Sequence, residues 1–245
     1  MKQAIRKRHN EIRIRAVPNR QPDHGEEGPY LPLSATDKAE LGRLAEIIEF
    51  KTAGSEILSR GEKANFLYLL ADGVVEADRT LQNGERQILA FYWPGDLLGL
   101  AENGVYVNSA QALTSCTVYR FHTQVLATFL LESPKIQHTF LVKAVHDLRN
   151  AQRQLIMMGR FDIIKRLSAF LIDCSAHEHY FNLDLNVLTL PMTRYDIADY
   201  IGTSAESVTR TFNRLEAKGL LHRLTPRTLK LETAELKAFV DLANS

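Results

Sequence analysis

The spacing of apolar residues changes period several times along the chain, and each change predicts an element. Leu41, Leu44, Ala45 and Ile48 recur at three- and four-residue steps, with Ser34 and Thr36 as candidate caps, so a short helix is predicted here. Beyond it the pattern shortens to β-type runs at Phe66–Ala71, Val74–Arg79, Gln87–Trp93, Gln111–Thr114 and Thr117–Phe121. Seven of the thirteen glycines, from Gly54 to Gly104, fall among these runs. Turn signals at such regular spacing predict a small antiparallel sandwich or barrel. Asn83-Gly84 is its strongest hairpin signal, since both residue types tolerate the positive φ of a type I′ turn.

From Thr123 the helical period returns, and Pro134 suits the first turn of a long helix reaching about Gly159. Within it Leu141, Val145, Leu148, Gln152 and Leu155 recur at steps of 4, 3, 4 and 3, a heptad seam suited to a second helix. The run covers barely two heptads, so packing against its own domain is the competing reading. Length favours pairing, because a helix of roughly 25 residues extends about 37 Å, more than one small β-domain needs to cover.

The segment from Arg160 reads as at least three helices followed by a β-type hairpin. Thr193 caps a predicted helix Arg194–Ile201 with Ile197, Ala198 and Ile201 inward; Gly202 breaks it, Thr203 and Ser204 turn, and a second helix runs from about Ala205 to Lys218 over Val208, Phe212 and Leu215. Ala198, Gly202 and Val208 supply the small contact, the turn glycine and the β-branched plug of a helix-turn-helix. On the outward face Glu206, Thr209 and Arg210 stand at i, i+3 and i+4. An acceptor for cytosine N4, a hydroxyl and methyl for thymine and a fork for guanine suit a major-groove reader. A solvated Glu206–Arg210 ion pair is the bland alternative, and it leaves the surrounding charge unexplained. Residues 205–231 hold Arg210, Arg214, Lys218, Arg223, Arg227 and Lys230 against Glu206 and Glu216, a net of +4. Leu221–Leu224, a Thr225-Pro226-Arg227 turn and Leu229–Leu231 form a predicted wing. Thr193, Ser204, Ser207, Arg214, Arg223, Arg227 and Lys230 are the expected phosphate contacts.

Composition narrows the classes. The 245 residues are 45% hydrophobic and 24% charged with a net charge of +1, an ordinary globular balance. No apolar window is long enough to span a bilayer and no apolar run follows the basic N-terminus, so the cytoplasm is expected. Cys116 and Cys174 are the only cysteines, too few for a disulfide framework, and Cys116 reads as core. Cys174, His177 and His179 lack a sequence-local fourth metal ligand. There is no phosphate-cradling loop, nucleophile elbow or HExxH helix, so no enzyme is expected. Four parts follow: 1–28, a basic mobile arm able to touch DNA or simply solvated; 29–132, a β-roll; 133–159, a dimerisation helix; and 160–245, a winged helix-turn-helix. The fold class is α+β.

Gly54-x-x-Ile57, Gly61-Glu62, Leu67-Tyr68-Leu69, Asp72-Gly73 and Pro94-Gly95-Asp96-Leu97-Leu98-Gly99, then a long helix, then Met192-Thr193-Arg194-Tyr195-Asp196-Ile197-Ala198-Asp199-Tyr200-Ile201-Gly202, together resemble the CRP/FNR superfamily of bacterial transcription regulators over about residues 30–240. Glu206-Ser-Val-Thr209-Arg210 is similar to its FNR and FixK branch. The resemblance implies a jelly-roll-type cyclic-nucleotide-binding-like domain and a homodimer that reads TTGAT-type half-sites in double-stranded DNA. It also implies contact with RNA polymerase and, as a rule, activation of low-oxygen or nitrogen-oxide respiratory genes. Two departures matter. Members that bind cyclic AMP carry an Arg-Ser pair where this chain reads Asn108-Ser109, which removes the bidentate phosphate partner. Oxygen-sensing members hold an iron–sulfur cluster on an N-terminal cysteine group, and residues 1–115 contain no cysteine. Neither cofactor is expected. The alternative function is a cyclic-nucleotide-sensing module acting through protein contacts.

Overall fold

The computed structural model of the chain describes residues 11–16 and 30–241. These divide near Asn150, inside a long helix, into two compact units, with Thr80–Ile88 clustering with the second.

The first unit opens on helix α1 (Ala35–Leu44). Ser34 Oγ accepts the Asp37 N–H at 3.1 Å while the Asp37 carboxylate accepts the Ser34 N–H at 2.9 Å. This reciprocal box satisfies two of the helix's orphan donors. The helix stops earlier than its apolar spacing predicts. Ala45 is extended at φ −94°, ψ 141°, and Ala45–Phe50 forms strand β1, so Ala45 and Ile48 lie on a strand. Pairing overrides spacing here, because β1 runs antiparallel to β8 (Cys116–His122) from Ala45↔Phe121 to Phe50↔Cys116.

Between them lie β2 (Glu56–Leu58), β3 (Phe66–Asp72), β4 (Val75–Thr80), β5 (Arg86–Tyr92), β6 (Leu97–Leu98) and β7 (Ser109–Ala112). They form two four-stranded sheets, β1-β8-β3-β6 and β2-β7-β4-β5. Every predicted β run overlaps a strand, the one at Gln111–Thr114 only over its first two residues, and β1, β2 and β6 are additions. Strand β3 explains how the roll packs, since its alternate residues serve two cores. Tyr68 and Leu70 face the other sheet and meet Val75, Ala77 and Val118. Leu67 and Leu69 face outward, where Leu41, Leu126, Ile136, Ile12 and Ile14 cover them. The latter pair corrects the arm expected over 1–28: Ile12 and Ile14 are buried, and Arg15 N donates to Gly95 O at 2.8 Å. Residues 1–10 and 17–28 of that arm lie outside the described residues.

The Asn83-Gly84 hairpin forms without a type I′ turn. Gly84 alone of the two has positive φ, +83°, and its N–H bonds Leu81 O at 3.0 Å. Residues 82 and 83 are thus the centre of an ordinary turn and Gly84 the left-handed residue after it, an arrangement that also suits the strand twist.

Helices α2 (Thr123–Glu132) and α3 (Pro134–Arg160) follow, α3 starting at the proline as predicted. Lys143 on α3 is fully buried, its Nζ donating to Asp96 at 2.8 Å and Asp147 at 2.6 Å. Burial works against its charge, but the two carboxylates prevail and hold its pKa above the usual lysine value.

The second unit contains α4 (Ile163–Ser175), β9 (Phe181–Asn182), β10 (Val187–Thr189), α5 (Arg194–Ile201), α6 (Ala205–Ala217), β11 (Leu221–Arg223), β12 (Thr228–Leu231) and α7 (Thr233–Asp241). Asp162 caps α4 through the Lys165 N–H at 3.0 Å. The predicted wing is β11–β12, and it belongs to a larger sheet, β11-β12-β10-β9. Strands of two and three residues carry no readable period, which is why β9 and β10 escape the sequence analysis.

Candidate nucleic-acid interface

Two capped helices set the geometry. At the start of α5 the Thr193 hydroxyl accepts the Asp196 N–H at 3.2 Å, and Asp196 accepts the Thr193 N–H at 2.7 Å. At its end Gly202 stands at φ +69°, ψ 55°, a conformation that favours glycine because it has no Cβ. Ser204 caps α6 through the Ser207 N–H at 3.2 Å. Ile197, Ala198 and Ile201 on α5 and Val208, Phe212 and Leu215 on α6 are all buried, as the helix-turn-helix reading requires.

Burying that stripe of α6 turns the opposite face to solvent. Glu206, Thr209 and Arg210 are all exposed on it. Arg210 Nη2 donates to Ser207 Oγ at 2.9 Å, and Nη1 lies 3.5 Å from Glu206 Oε1. Both side chains are largely solvated, so this pair is worth less than about 1 kcal/mol and yields readily to a stronger partner. Thr209 donates its hydroxyl back to Ala205 O at 2.9 Å.

The expected phosphate contacts fall into three groups. Arg214, Arg227 and Lys230 are exposed. Thr193, Ser204 and Ser207 have their hydroxyls engaged in the caps or with Arg210. Arg223 is held by Glu216, the last acidic residue of α6. Its backbone N–H reaches Oε1 at 3.0 Å, Nε reaches Oε2 at 2.8 Å and Nη2 reaches Oε2 at 2.5 Å. The backbone and side-chain hydrogen bonds from Arg223 hold the Glu216 carboxyl below the usual carboxylate range. Helix α6 and the first wing strand are thereby joined.

Arg194 and Glu216 are the residues that sequence reasoning missed. The Arg194 guanidinium lies 3.6 Å from the Phe212 ring centroid and donates to Pro226 O at 3.0 Å, so it connects α5, α6 and the wing tip. Burial, with Arg223 nearby, lowers its pKa to about 10. Thr193, Arg194, Arg223 and Arg227 help line a cleft of about 480 Å³ beside the wing. A cation next to a helix cap was the available signal, but the stack depends on a phenylalanine 18 residues away.

Along α3 the seam residues are exposed in the single chain: Leu141 by 61%, Val145 by 44%, Leu148 by 59% and Leu155 by 72%, with Gln152 exposed beside them. Among the described residues none covers this row. Inside the roll, Tyr106 is buried; its hydroxyl donates to Phe66 O at 2.7 Å and accepts the Phe66 N–H at 3.3 Å. Ser109 Oγ accepts the Arg60 N–H at 3.1 Å. Cys116 and Cys174 are buried and burial raises both thiol pKa values, more so at Cys174. Among the described residues no helix is long and apolar enough to cross a membrane.

Known proteins share this arrangement. Residues 49–133 match the cyclic nucleotide-binding domain family and residues 165–239 the Crp-like helix-turn-helix domain family. The chain is similar to the transcriptional activatory protein AadR of Rhodopseudomonas palustris, 32% identical over 189 residues that cover 77% of this chain and 79% of that one. It is also similar to the nitrogen fixation regulation protein FixK of Bradyrhizobium diazoefficiens, 29% identical over 84% of this chain and 86% of that one. Among solved structures, FixK2 from Bradyrhizobium japonicum superimposes with a TM-score of 0.71 at 26% identity, over 79% of this chain and 96% of that one.

Proposed function

Since the chain belongs to the CRP/FNR family of DNA-binding transcription regulators, we propose that it binds TTGAT-type palindromes as a homodimer. The observation that carries this reading is the exposed Glu206–Thr209–Arg210 face of a helix that is capped at its own start, as is the helix before it. Arg210 reads guanine, Glu206 accepts from cytosine and Thr209 packs against thymine. Arg214, Arg227 and Lys230 contact phosphate, with Arg223 and the hydroxyls of Thr193, Ser204 and Ser207 as further contacts. The exposed Leu141–Leu155 row is the dimer seam. The protein works in the cytoplasm without enzymatic activity, contacts RNA polymerase and activates genes for low-oxygen or nitrogen-oxide respiration. The name of the R. palustris relative supports the activator role, and similarity to anaerobic regulatory proteins supports the targets.

The same reading assigns no cyclic AMP and no iron–sulfur cluster to this chain. Asn108 offers no guanidinium, the Tyr106 and Ser109 hydroxyls are already engaged, and Cys116 is the first cysteine. Selection from random DNA, with and without millimolar cyclic AMP, tests the proposal. The expected motif is a palindrome with half-sites about 10 base pairs apart, unchanged by the nucleotide. A motif without two-fold symmetry, or one that needs cyclic AMP, would overturn it.

A further inference from the structure

We infer that Arg166 is the positioning residue that fixes the helix-turn-helix to the end of the seam helix, and so sets the spacing at which the dimer reads two half-sites. This rests on the dimeric DNA-binding reading above. Arg166 lies one turn into α4, half-buried, and its guanidinium donates in three directions: Nε to Phe161 O at 2.9 Å, Nη2 to Met158 O at 2.7 Å and Nη1 to Ile201 O at 3.1 Å. Met158 is in the last turn of α3, Phe161 follows that helix, and Ile201 ends α5. The last carbonyls of a helix have no partner within it and carry its negative dipole end. One cation therefore serves the ends of two helices that the DNA reading requires to keep a fixed relation.

The other side of the joint is closed by contact. A Cβ on Gly202 would stand 2.5 Å from Met158 Cε, so the turn of the helix-turn-helix presses directly on the end of α3. Only Phe161 and Asp162 separate α3 from α4. A planar fork can hold three carbonyls at once; a lysine ammonium keeps the charge but has no such fork.

The test uses the full chain as wild type, Arg166→Lys and Met158→Ala, against the selected palindrome, against palindromes with the spacer one or two base pairs longer or shorter, and against a single half-site. Wild type should bind the native spacing best. Arg166→Lys should lose about tenfold on that spacing, the worth of one charge-assisted hydrogen bond, and lose less on the altered spacers, so that selectivity flattens. Half-site affinity and dimer mass should stay unchanged. Met158→Ala, which loosens the joint from the opposite side, should flatten selectivity in the same way. Wild-type spacing selectivity in either folded variant would overturn the inference, even with a lowered melting temperature, since that is what a purely structural role gives. Wild type that prefers no spacing would instead defeat the dimeric reading itself.

Discussion

Replacing Leu148 with glutamate should split the dimer while leaving the protomer folded. Leu148 is 59% exposed in the single chain, so the change touches little of the protomer's own core and should alter its stability by no more than about 0.5 kcal/mol. In the proposed dimer the same side chain would be buried by its partner. Full burial of a leucine is worth about 1.5–3 kcal/mol, and the exposed share of Leu148 is thus worth about 1–2 kcal/mol per chain. A two-fold interface loses this twice. Each carboxylate carried into the apolar row adds several kcal/mol or must take up a proton. A total above about 4 kcal/mol raises the dimer dissociation constant about a thousandfold. Sedimentation over a concentration series, with melting followed on the same samples, reads both quantities. Mass near one chain, near-native melting and weakened palindrome binding are expected. A Leu148→Glu protein that stays dimeric over the same range as wild type would refute the seam and the arithmetic together.

Arg210→Ala should cost about 1–3 kcal/mol and relax preference at one base pair per half-site; a selected motif just as sharp at that guanine would exclude Arg210 as its reader. Gly202→Ala should destabilise by about 1–3 kcal/mol because φ is +69°, a strain that remains even if the flexible Met158 side chain moves aside; an unchanged denaturation midpoint would contradict this. Lys143→Met strands the Asp96 and Asp147 carboxylates and should cost about 3–5 kcal/mol, with Asp147→Asn recovering part of it in the double variant; simple additivity would show that the three do not act as a unit. Glu11, held at about 2 by hydrogen bonds from Lys38 and Arg13, adds stability above its ordinary 4.5 that disappears as pH falls toward 2. Its exposure limits this to less than about 1 kcal/mol, so the small midpoint gap between wild type and Glu11→Gln should close over that pH range, and a constant gap would refute the pairing.

What could be read from sequence follows from how local each signal is. The cap Thr193, the break at Gly202, the turn at Thr203 and Ser204 and the buried stripe of α6 involve residues within a few turns of one another, and all stand where they were expected. The exposed row from Leu141 to Leu155 was legible because a helix imposes one period over its whole length. Strand β1 was not, because Ala45 and Ile48 fit a helical stripe until β8, about 70 residues later, claims them. The burial of Ile12 and Ile14 was hidden by the arginines around them. At the interface, the outward triad was legible and the partner of Arg223 was not. Only the register of the wing brings that residue to Glu216, and a charge count cannot distinguish a free cation from an engaged one.

The Glu216–Arg223 pair therefore changes what the domain offers to an electrolyte. Both carboxylates of residues 205–231 have arginine partners, Arg210 and Arg223, whereas Arg214, Lys218, Arg227 and Lys230 form no ion pair among the described residues. Four of these six cations per protomer thus carry no carboxylate partner, while Arg210 and Arg223 must exchange theirs before they reach DNA. If all four act in both halves of a dimer, log K should fall with log salt at a slope of about −7 rather than the −11 that the bare count suggests. Binding of this kind resists changes in cellular ionic strength better than its basic residues imply. Less of its affinity is shared with arbitrary DNA, and more is left to the face that reads bases.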